Sequence, residues 1–161
     1  MISSPTLLSL AKNLTHEPPR NPDERWGGFV ILMRAVDKGR AFLNGTPGEY
    51  NFNCPGDQML FNFKGVKGAE LLKRLSAGAN DEEVLEWMLS QGRHKTPEEI
   101  KAWSDQMEAF SFYFVPEQRG WFVTECNRLG LDPINTTLFE YLEVDDRKRF
   151  GLPVPIQDRH P

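Results

Sequence analysis

Residues 34–57 read RAVDKGRAFLNGTPGEYNFNCPGD, and this stretch indicates both the class of fold and the place of a candidate site. When residues 29–44 are placed on a helix of 3.6 residues per turn, apolar side chains cover one side, namely Ile31, Leu32, Ala35, Val36, Phe42 and Leu43. The other side carries charged side chains, namely Arg34, Asp37, Lys38 and, near the border, Arg40. We predict an amphipathic helix from Gly27 to Asn44, ended by Gly45, since glycine readily adopts the left-handed conformation that closes a helix.

Helix signals continue along the rest of the chain. N-cap residues, prolines at first helical positions and closing glycines predict further helices. Two of them begin at Ser4-Pro5 and at Thr96-Pro97, and the others lie at Pro55–Lys64, residues 69–78, Asn80–Gly92, Pro116–Gly130 and Thr137–Leu142, with a last turn at Asp145–Phe150. Residues 46–53, TPGEYNFN, predict an irregular loop, and FSFYFV at 110–115 suits either a short strand or a connection between helices. The sequence therefore predicts an all-α fold, with about seven helices in one compact domain over residues 1–161 and a proline-rich tail at 151–161.

The composition and the net charge of the chain restrict the class of protein. With 39% hydrophobic and 26% charged residues, the 161-residue chain has the balance of a globular domain. Its longest apolar run, Phe29–Met33, is too short to cross a bilayer, and its net charge of −4 argues against nucleic acid as a partner. We expect a cytoplasmic protein, because the N-terminal residues MISSPTLLSLAKNL lack the pattern of a secretory signal peptide and two cysteines make no disulfide framework.

The sequence contains no motif for a metal or a cofactor. The three histidines, His16, His94 and His160, lie far apart and fit no zinc motif. No glycine-rich phosphate loop and no nucleophile-elbow motif occurs. We therefore expect no metal and no cofactor.

The loop after the first long helix adds groups that suit catalysis. Cys54 precedes Pro55 and lies three residues before Asp57, which places its sulfur at the N-terminus of a helix. The unpaired N–H groups at such a position favour a thiolate, whereas a carboxylate at Asp57 opposes it. The alternative is a buried structural cysteine, with Asn53 as the helix cap.

These residues suggest two functions. In the first, a small anionic metabolite with a carboxylate or a phosphate binds at the segment from Arg34 to Asp57, with or without catalysis. The candidate ligand-binding residues are Arg34, Asp37, Lys38, Arg40 and Asn53, and the candidate catalytic residues are Cys54, Tyr50, Asp57 and Glu49. In the second, the chain is a non-catalytic interaction module that binds a protein partner or a second copy through the aromatic residues at 110–114 or its acidic C-terminal half.

The two functions require different arrangements of the charged residues. A ligand site needs Arg34, Lys38, Tyr50 and Cys54 to converge. An interaction module allows an ion-pair lattice in which the arginines pair with carboxylates, namely Asp37, Glu49 and Asp57. The simplest alternative assigns no site at all, because a polar helix side is commonly the solvent-exposed face, with an ion pair worth a few tenths of a kcal/mol.

One pattern resembles the signature of a bacterial family described only as a domain of unknown function: Arg34-x-x-Asp37-Lys38-x-Arg40-Ala41, then Gly45-x-x-Gly48-Glu49-Tyr50, then Asn53-Cys54-Pro55-x-Asp57-Gln58. The resemblance extends from about Arg20 to beyond Pro133 and covers most of the chain. It implies a small single-domain cytosolic protein and supplies no activity, cofactor or catalytic residue. Gly39 and Gly56 stand where the pattern suggests larger residues. Since glycine costs roughly 1 kcal/mol relative to alanine inside a helix, we expect close packing against another segment at Gly39.

Overall fold

The computed structural model describes residues 5–155, and this range contains eight α-helices. They are α1 (Pro5–Leu10), α2 (Leu32–Leu43), α3 (Pro55–Lys64), α4 (Gly68–Ser76), α5 (Asp81–Ser90), α6 (Pro97–Ala109), α7 (Pro116–Leu129) and α8 (Leu138–Arg149). Within the described range no strand forms, and an isolated antiparallel bridge joins Trp26 to Phe29. The predicted all-α class is confirmed.

The chain divides into two compact units, Met1–Asp105 and Gln106–Pro161. In the first unit, α2 packs against α4 and α3, around apolar residues that include Val36, Leu60, Leu71, Leu75 and Val84. In the second unit, α7 packs against α8 and against a short 3₁₀ turn at Phe112–Phe114, around apolar residues that include Phe122, Cys126, Leu129, Tyr141 and Val144. The assignment of residues 1–161 to one domain stays a prediction.

Helix α2 begins five residues later than its sequence pattern predicts. Trp26 and Phe29 exchange two backbone hydrogen bonds of 3.0 Å across a turn at Gly27 and Gly28, and both glycines have positive φ. Ile31 also has a positive φ of 73°, so regular helix geometry starts only at the next residue. The predicted end of this helix at Asn44, followed by a left-handed glycine, is confirmed.

The other predicted helix boundaries depend on local capping, and most of them are confirmed. Asn80 and Glu83 form a reciprocal capping box at the start of α5, and Thr96 and Glu99 form another at the start of α6. Pro55 and Pro116 open α3 and α7, and a left-handed glycine closes each of these helices.

The structure decides two further details of the prediction, both in the C-terminal part of the chain. The helix predicted at Thr137–Leu142 and the last turn at Asp145–Phe150 are one continuous helix, α8, because no proline or glycine interrupts them. Of the two alternatives for the aromatic segment at 110–115, the connection between helices is confirmed, since the segment forms a 3₁₀ turn at Phe112–Phe114 between α6 and α7. The proposed cap at Ser4 lies outside the described residues, as do residues 156–161 of the predicted tail and with them His160.

The glycine inside α2 marks its closest contact with other segments. A Cβ at Gly39 would lie 2.7 Å from Leu75 Cδ1 of α4 and 3.1 Å from Phe52 Cε1 of the loop before α3. Phe52 also lies beside Phe61 of α3, with ring centroids 6.1 Å apart. The expected close packing at Gly39 is therefore confirmed, and it lets the loop that carries Tyr50 and Cys54 approach α2.

Candidate functional site

The charged side of α2 is buried. Arg34, Asp37, Lys38 and Arg40 are each at most 5% exposed. The simplest alternative, in which this side faces solvent, is therefore wrong. Burying a charge is costly unless hydrogen bonds and an opposite charge compensate for it, so the partners of these four residues determine what the cluster does.

Asp37 is held by Arg20, which comes from the proline-rich segment before α2. The Arg20 guanidinium donates to both carboxylate oxygens, from Nε at 3.1 Å and from Nη2 at 3.0 Å. The backbone N–H of Arg20 donates to the same carboxylate at 2.8 Å. The Lys12 ammonium lies 3.9 Å away. This two-point contact fixes the segment at residues 18–22 against the middle of α2.

Arg20 and Arg40 share a second carboxylate, that of Asp81 at the start of α5. The distances to Asp81 are 2.8 Å from Arg20 Nη1 and 2.9 Å from Arg40 Nη1. Burial raises the pKa of Asp81, but the hydrogen bonds and charges of the two arginines outweigh it, so the pKa lies below its usual value of 3.8. Burial lowers the pKa of Arg20, and its hydrogen bonds to Asp81 and Asp37 reverse the direction.

Arg40 also donates a hydrogen bond to a backbone carbonyl, and one of its side-chain N–H groups has no acceptor among the described residues. Its Nη2 donates to the Ala79 carbonyl at 2.9 Å. Its buried Nε has no hydrogen-bond partner among the described residues. Arg40 thus ties α2 to the connection between α4 and α5.

Lys38 forms a separate group with Asp57 and Cys54. The Lys38 ammonium lies 2.9 Å from Asp57 Oδ2, and it donates to Cys54 Sγ at 3.1 Å. Asp57 also accepts from the backbone N–H groups of Asn53 and Cys54, at 2.9 Å and 3.4 Å. Cys54 occupies the N-cap position of α3 and is half-buried. The predicted position of this cysteine is confirmed, and so is the predicted proximity of Asp57.

Arg34 lies one turn before Lys38 and faces the same loop. Its guanidinium carbon is 5.5 Å from the centre of the Tyr50 ring, a cation–π distance. Its Nη1 also donates to the Arg20 carbonyl at 3.5 Å. Tyr50 is half-buried. Two pairs, Arg34 with Tyr50 and Lys38 with Cys54, therefore form between α2 and the loop. We call these four residues with Asp57 the loop-side cluster.

Four predicted site residues lie outside this cluster: Asp37 and Arg40, which pair with Arg20 and Asp81, and Glu49 and Asn53. Glu49 is exposed to solvent. Asn53 is exposed too and has a positive φ of 62°; its side chain lies against Gly68, where a Cβ would be 2.8 Å from Asn53 Oδ1. Asn53 is not the N-cap of α3, because Cys54 takes that position. Its contribution to Asp57 comes from its backbone N–H.

Sequence reasoning missed Arg20 and Asp81, which complete the ionic network around Asp37 and Arg40. Arg20 lies in an extended proline-rich segment, and Asp81 fits an ordinary role as an acid in the first turn of a helix. The only sequence signal for Arg20 is that the family resemblance begins there. Asp81 is 61 residues from Arg20, so no local periodicity connects them.

The described residues contain no group of three or more His, Cys, Asp or Glu side chains arranged to hold a metal ion. No helix in residues 5–155 is both long and apolar enough to cross a membrane.

The fold and the buried charges define a class of protein: an all-helical chain built around an ionic network on one face of a single helix. The chain belongs to the family described as Domain of unknown function (DUF5069), whose model matches residues 16–148. The resemblance to a family of unknown function is thereby confirmed, and the matched range includes the whole ionic network except Lys12. No curated protein matches the chain.

Proposed function

We propose that this protein binds a small anionic molecule, one that carries a carboxylate or a phosphate, at the loop-side cluster. The observation that supports the proposal is that two cations of α2 contact two polar side chains of the loop. Arg34 and Lys38, one turn apart on α2, meet Tyr50 and Cys54, which lie four residues apart on the loop. Tyr50 and Cys54 are half-buried, so they offer an approach from solvent to the two buried cations.

The chemistry of the two cations suits an anion with several oxygens. A guanidinium presents N–H donors in a planar fork that matches carboxylate and phosphate, and an ammonium adds a compact charge with three donors. Among the described residues, Asp57 and Cys54 take two directions around the Lys38 ammonium, and an anion would take the third. The Tyr50 hydroxyl would add a further donor, and the Cys54 sulfur would lie next to the bound molecule as a nucleophile or a hydrogen-bond donor.

The rest of the network has a structural role in this proposal. Arg20, Asp37, Asp81 and Arg40 pair with one another and join the segment before α2 to the start of α5. The alternative function predicts an ion-pair lattice in which arginines pair with Asp37, Glu49 and Asp57. These residues fit that lattice at Asp37, whose partner is Arg20. The lattice holds α2 in place, and the loop-side cluster binds the ligand.

A thermal-shift titration tests the binding proposal. The full chain is titrated with inorganic phosphate and with small mono- and dicarboxylates, and a ligand at 100 times its Kd is expected to add about 2.7 kcal/mol of stability. Arg34→Gln should abolish the shift. Arg74→Gln, which removes an exposed arginine from α4, is the matched control and should retain it. Equal shifts in both variants, or no shift for any anion, would contradict the proposal.

A specific observation also supports the second function, the interaction module. Phe114 is 67% exposed and Trp121 is 49% exposed, both in the second unit. Large exposed aromatic side chains are common in protein–protein interfaces. If this surface binds a second copy, sedimentation velocity at rising concentration will show a dimer that Phe114→Ser weakens. Leu89→Ser, at a 47% exposed position in the first unit, should leave that dimer intact.

A further inference from the structure

Cys54 and Lys38 are arranged for a reaction with each other. Lys38 Nζ lies 3.1 Å from Cys54 Sγ, within the range of a near-attack arrangement. The lysine side chain is 5% exposed and is fixed by the ion pair with Asp57, which is 1% exposed. The Cys54 residue as a whole is half-buried, so part of it contacts solvent. A nitrogen that becomes nucleophilic once it gives a proton to Asp57 is therefore held next to the sulfur of a residue that is partly open to solvent.

We propose that Cys54 and Lys38 form a covalent sulfur–nitrogen crosslink when the protein meets a peroxide, which makes the pair an oxidative modification site. In the first step, the sulfur attacks the O–O bond. The Cys54 thiol becomes a sulfenic acid, sulfur is oxidised by two electrons, and the peroxide is reduced to water, or to an alcohol if it is organic.

In the second step, Lys38 displaces the sulfenic oxygen. The ammonium gives one proton to the Asp57 carboxylate, 2.9 Å away, and the free amine attacks the sulfur. The S–N bond forms as the S–O bond breaks, and the leaving hydroxide takes a second proton from nitrogen and departs as water. Asp57 then releases its proton to solvent. Sulfenic acids condense with backbone nitrogen in the same manner, and here a side-chain amine lies at contact distance.

The other cysteine of the chain provides an internal comparison. Cys126 is completely buried in α7, and burial, with the charges of Glu125 and Asp132, raises the pKa of its thiol to about 11. A thiol in this environment reacts slowly with peroxide. The modification is therefore expected at Cys54 alone.

The crosslink would change the properties of the chain in two ways. It would close the segment from residue 38 to residue 54 into a covalent ring and tie α2 to the start of α3. It would also remove the positive charge of Lys38. The crosslink does not depend on anion binding, because peroxide and the two side chains suffice for it.

Intact-mass spectrometry of the folded full chain after treatment with hydrogen peroxide tests the proposal. The crosslink is expected to lower the mass by about 2 Da, whereas uncoupled sulfenic or sulfinic acid raises it by about 16 or 32 Da. Proteolysis should yield one species that contains both Lys38 and Cys54, and dithiothreitol should separate the two peptides. Lys38→Arg keeps the positive charge beside Asp57 and replaces the amine with a poorly nucleophilic guanidinium; it should shift the product to the heavier acids.

Two controls complete the experiment. Cys126→Ser should retain the mass loss, and Cys54→Ser should abolish it, so that only mass gains such as oxidation of the five methionines remain. If the unsubstituted chain gives only the heavier acids or a disulfide dimer, or if Lys38→Arg still loses about 2 Da, the proposal is overturned. The readout is a mass, so it is independent of whether any anion binds.

Discussion

The Lys38 ammonium lies 2.9 Å from the Asp57 carboxylate, and both side chains are almost completely buried. The pair joins the middle of α2 to the first turn of α3. Asp57 is the better satisfied partner, since it also accepts two backbone N–H groups at the start of α3. Lys38 has a thiol as its second partner among the described residues. The stability of this connection therefore depends on both charges being present together.

Removal of either charge alone should destabilise the protein. Lys38→Met leaves a buried carboxylate without its cation, and Asp57→Asn leaves a buried ammonium without its anion. Each variant is expected to lose about 3–5 kcal/mol of unfolding free energy. The double variant loses both charges and keeps an amide oxygen to cap α3, so it should be more stable than the sum of the two losses predicts. Urea unfolding followed by circular dichroism measures all four proteins.

An exposed ion pair is the control for this cycle. Lys101 pairs with Asp105 on the surface of α6, with side chains that are 72% and 47% exposed. Lys101→Met should leave the unfolding midpoint nearly unchanged, because solvent screens such pairs. Strict additivity of the Lys38 and Asp57 variants would show that the buried pair does not act as a unit.

Two glycines inside helices should respond in opposite directions to alanine. Glycine to alanine normally stabilises a helix by about 1 kcal/mol. A Cβ at Gly39 would meet Leu75 and Phe52 at 2.7–3.1 Å, whereas a Cβ at Gly120 in α7 would meet nothing within 4 Å. Gly39→Ala is therefore expected to destabilise the protein by about 1–3 kcal/mol through overpacking. Gly120→Ala should stabilise it by about 0.5–1 kcal/mol.

The Gly39 substitution should also affect the candidate site. Phe52 would have to move, and with it the loop that holds Cys54 near Lys38. The rate at which a thiol reagent labels Cys54 in the folded protein is therefore expected to change in Gly39→Ala and not in Gly120→Ala. Equal stability changes in the two variants would mean that the contact at Gly39 can relax without cost.

The helix boundaries could be predicted from sequence because caps act over a few residues. Asn80 with Glu83 and Thr96 with Glu99 satisfy backbone groups within their own first turn. The start of α2 was mispredicted because a backbone hydrogen bond from Ile31 N–H to the Pro22 carbonyl, at 2.7 Å, helps to hold the chain in a non-helical conformation. This hydrogen bond forms only when the proline-rich segment that contains Pro22 lies against the start of α2, and a helical pattern in the sequence does not report that arrangement.

The candidate site could be predicted only in part, for the same physical reason. Cys54 and Asp57 are close in sequence, so helix geometry predicts their proximity. Asp37 and Arg40 can be buried because Arg20 and Asp81 pair with them. Arg20 and Asp81 are 61 residues apart, and no periodic pattern in the sequence connects positions at that distance. An amphipathic pattern indicates which side of a helix is polar, and only the tertiary partners decide whether that side is exposed or buried.

Asp81 should contribute to the loss of stability in acid. Its pKa is lowered in the folded protein relative to 3.8, although burial by itself raises it, because Arg20 and Arg40 favour the charged form. The folded state therefore binds fewer protons than the unfolded state near this pH, so Asp81 contributes stability above its unfolded pKa that is lost as pH falls through the folded value. Asp81→Asn should flatten the dependence of unfolding free energy on pH below about pH 5.

An exposed carboxylate on the same helix is the reference for that experiment. Glu86 is exposed on α5, and Glu86→Gln should leave the acid dependence as it is in the unsubstituted chain. A pH profile for Asp81→Asn that coincides with that of Glu86→Gln would show that the two arginines do not stabilise the Asp81 carboxylate in the folded state.

Cys126 should have the opposite effect, at alkaline pH. Burial, followed by the charges of Glu125 and Asp132, raises the pKa of its thiol from 9.0 to about 11 in the folded protein. Between these values the folded state holds a proton that the unfolded state releases. The stability from this group is therefore fully present below about pH 9 and is lost as pH rises through about 11. Burial and Glu125 also raise the pKa of Tyr141, with the same sign.

Urea unfolding at several pH values from about 8 to 10.5 measures this effect. The unfolding free energy of the unsubstituted chain is expected to fall across the range, and Cys126→Ala should make the fall shallower by removing one of the two groups. Cys54→Ser serves as the comparison, since it replaces the half-buried cysteine and leaves Cys126 in place. If Cys126→Ala and the unsubstituted chain lose stability in parallel, the pKa of the Cys126 thiol is the same in the folded and the unfolded protein. Burial in α7 would then have no effect on the release of its proton.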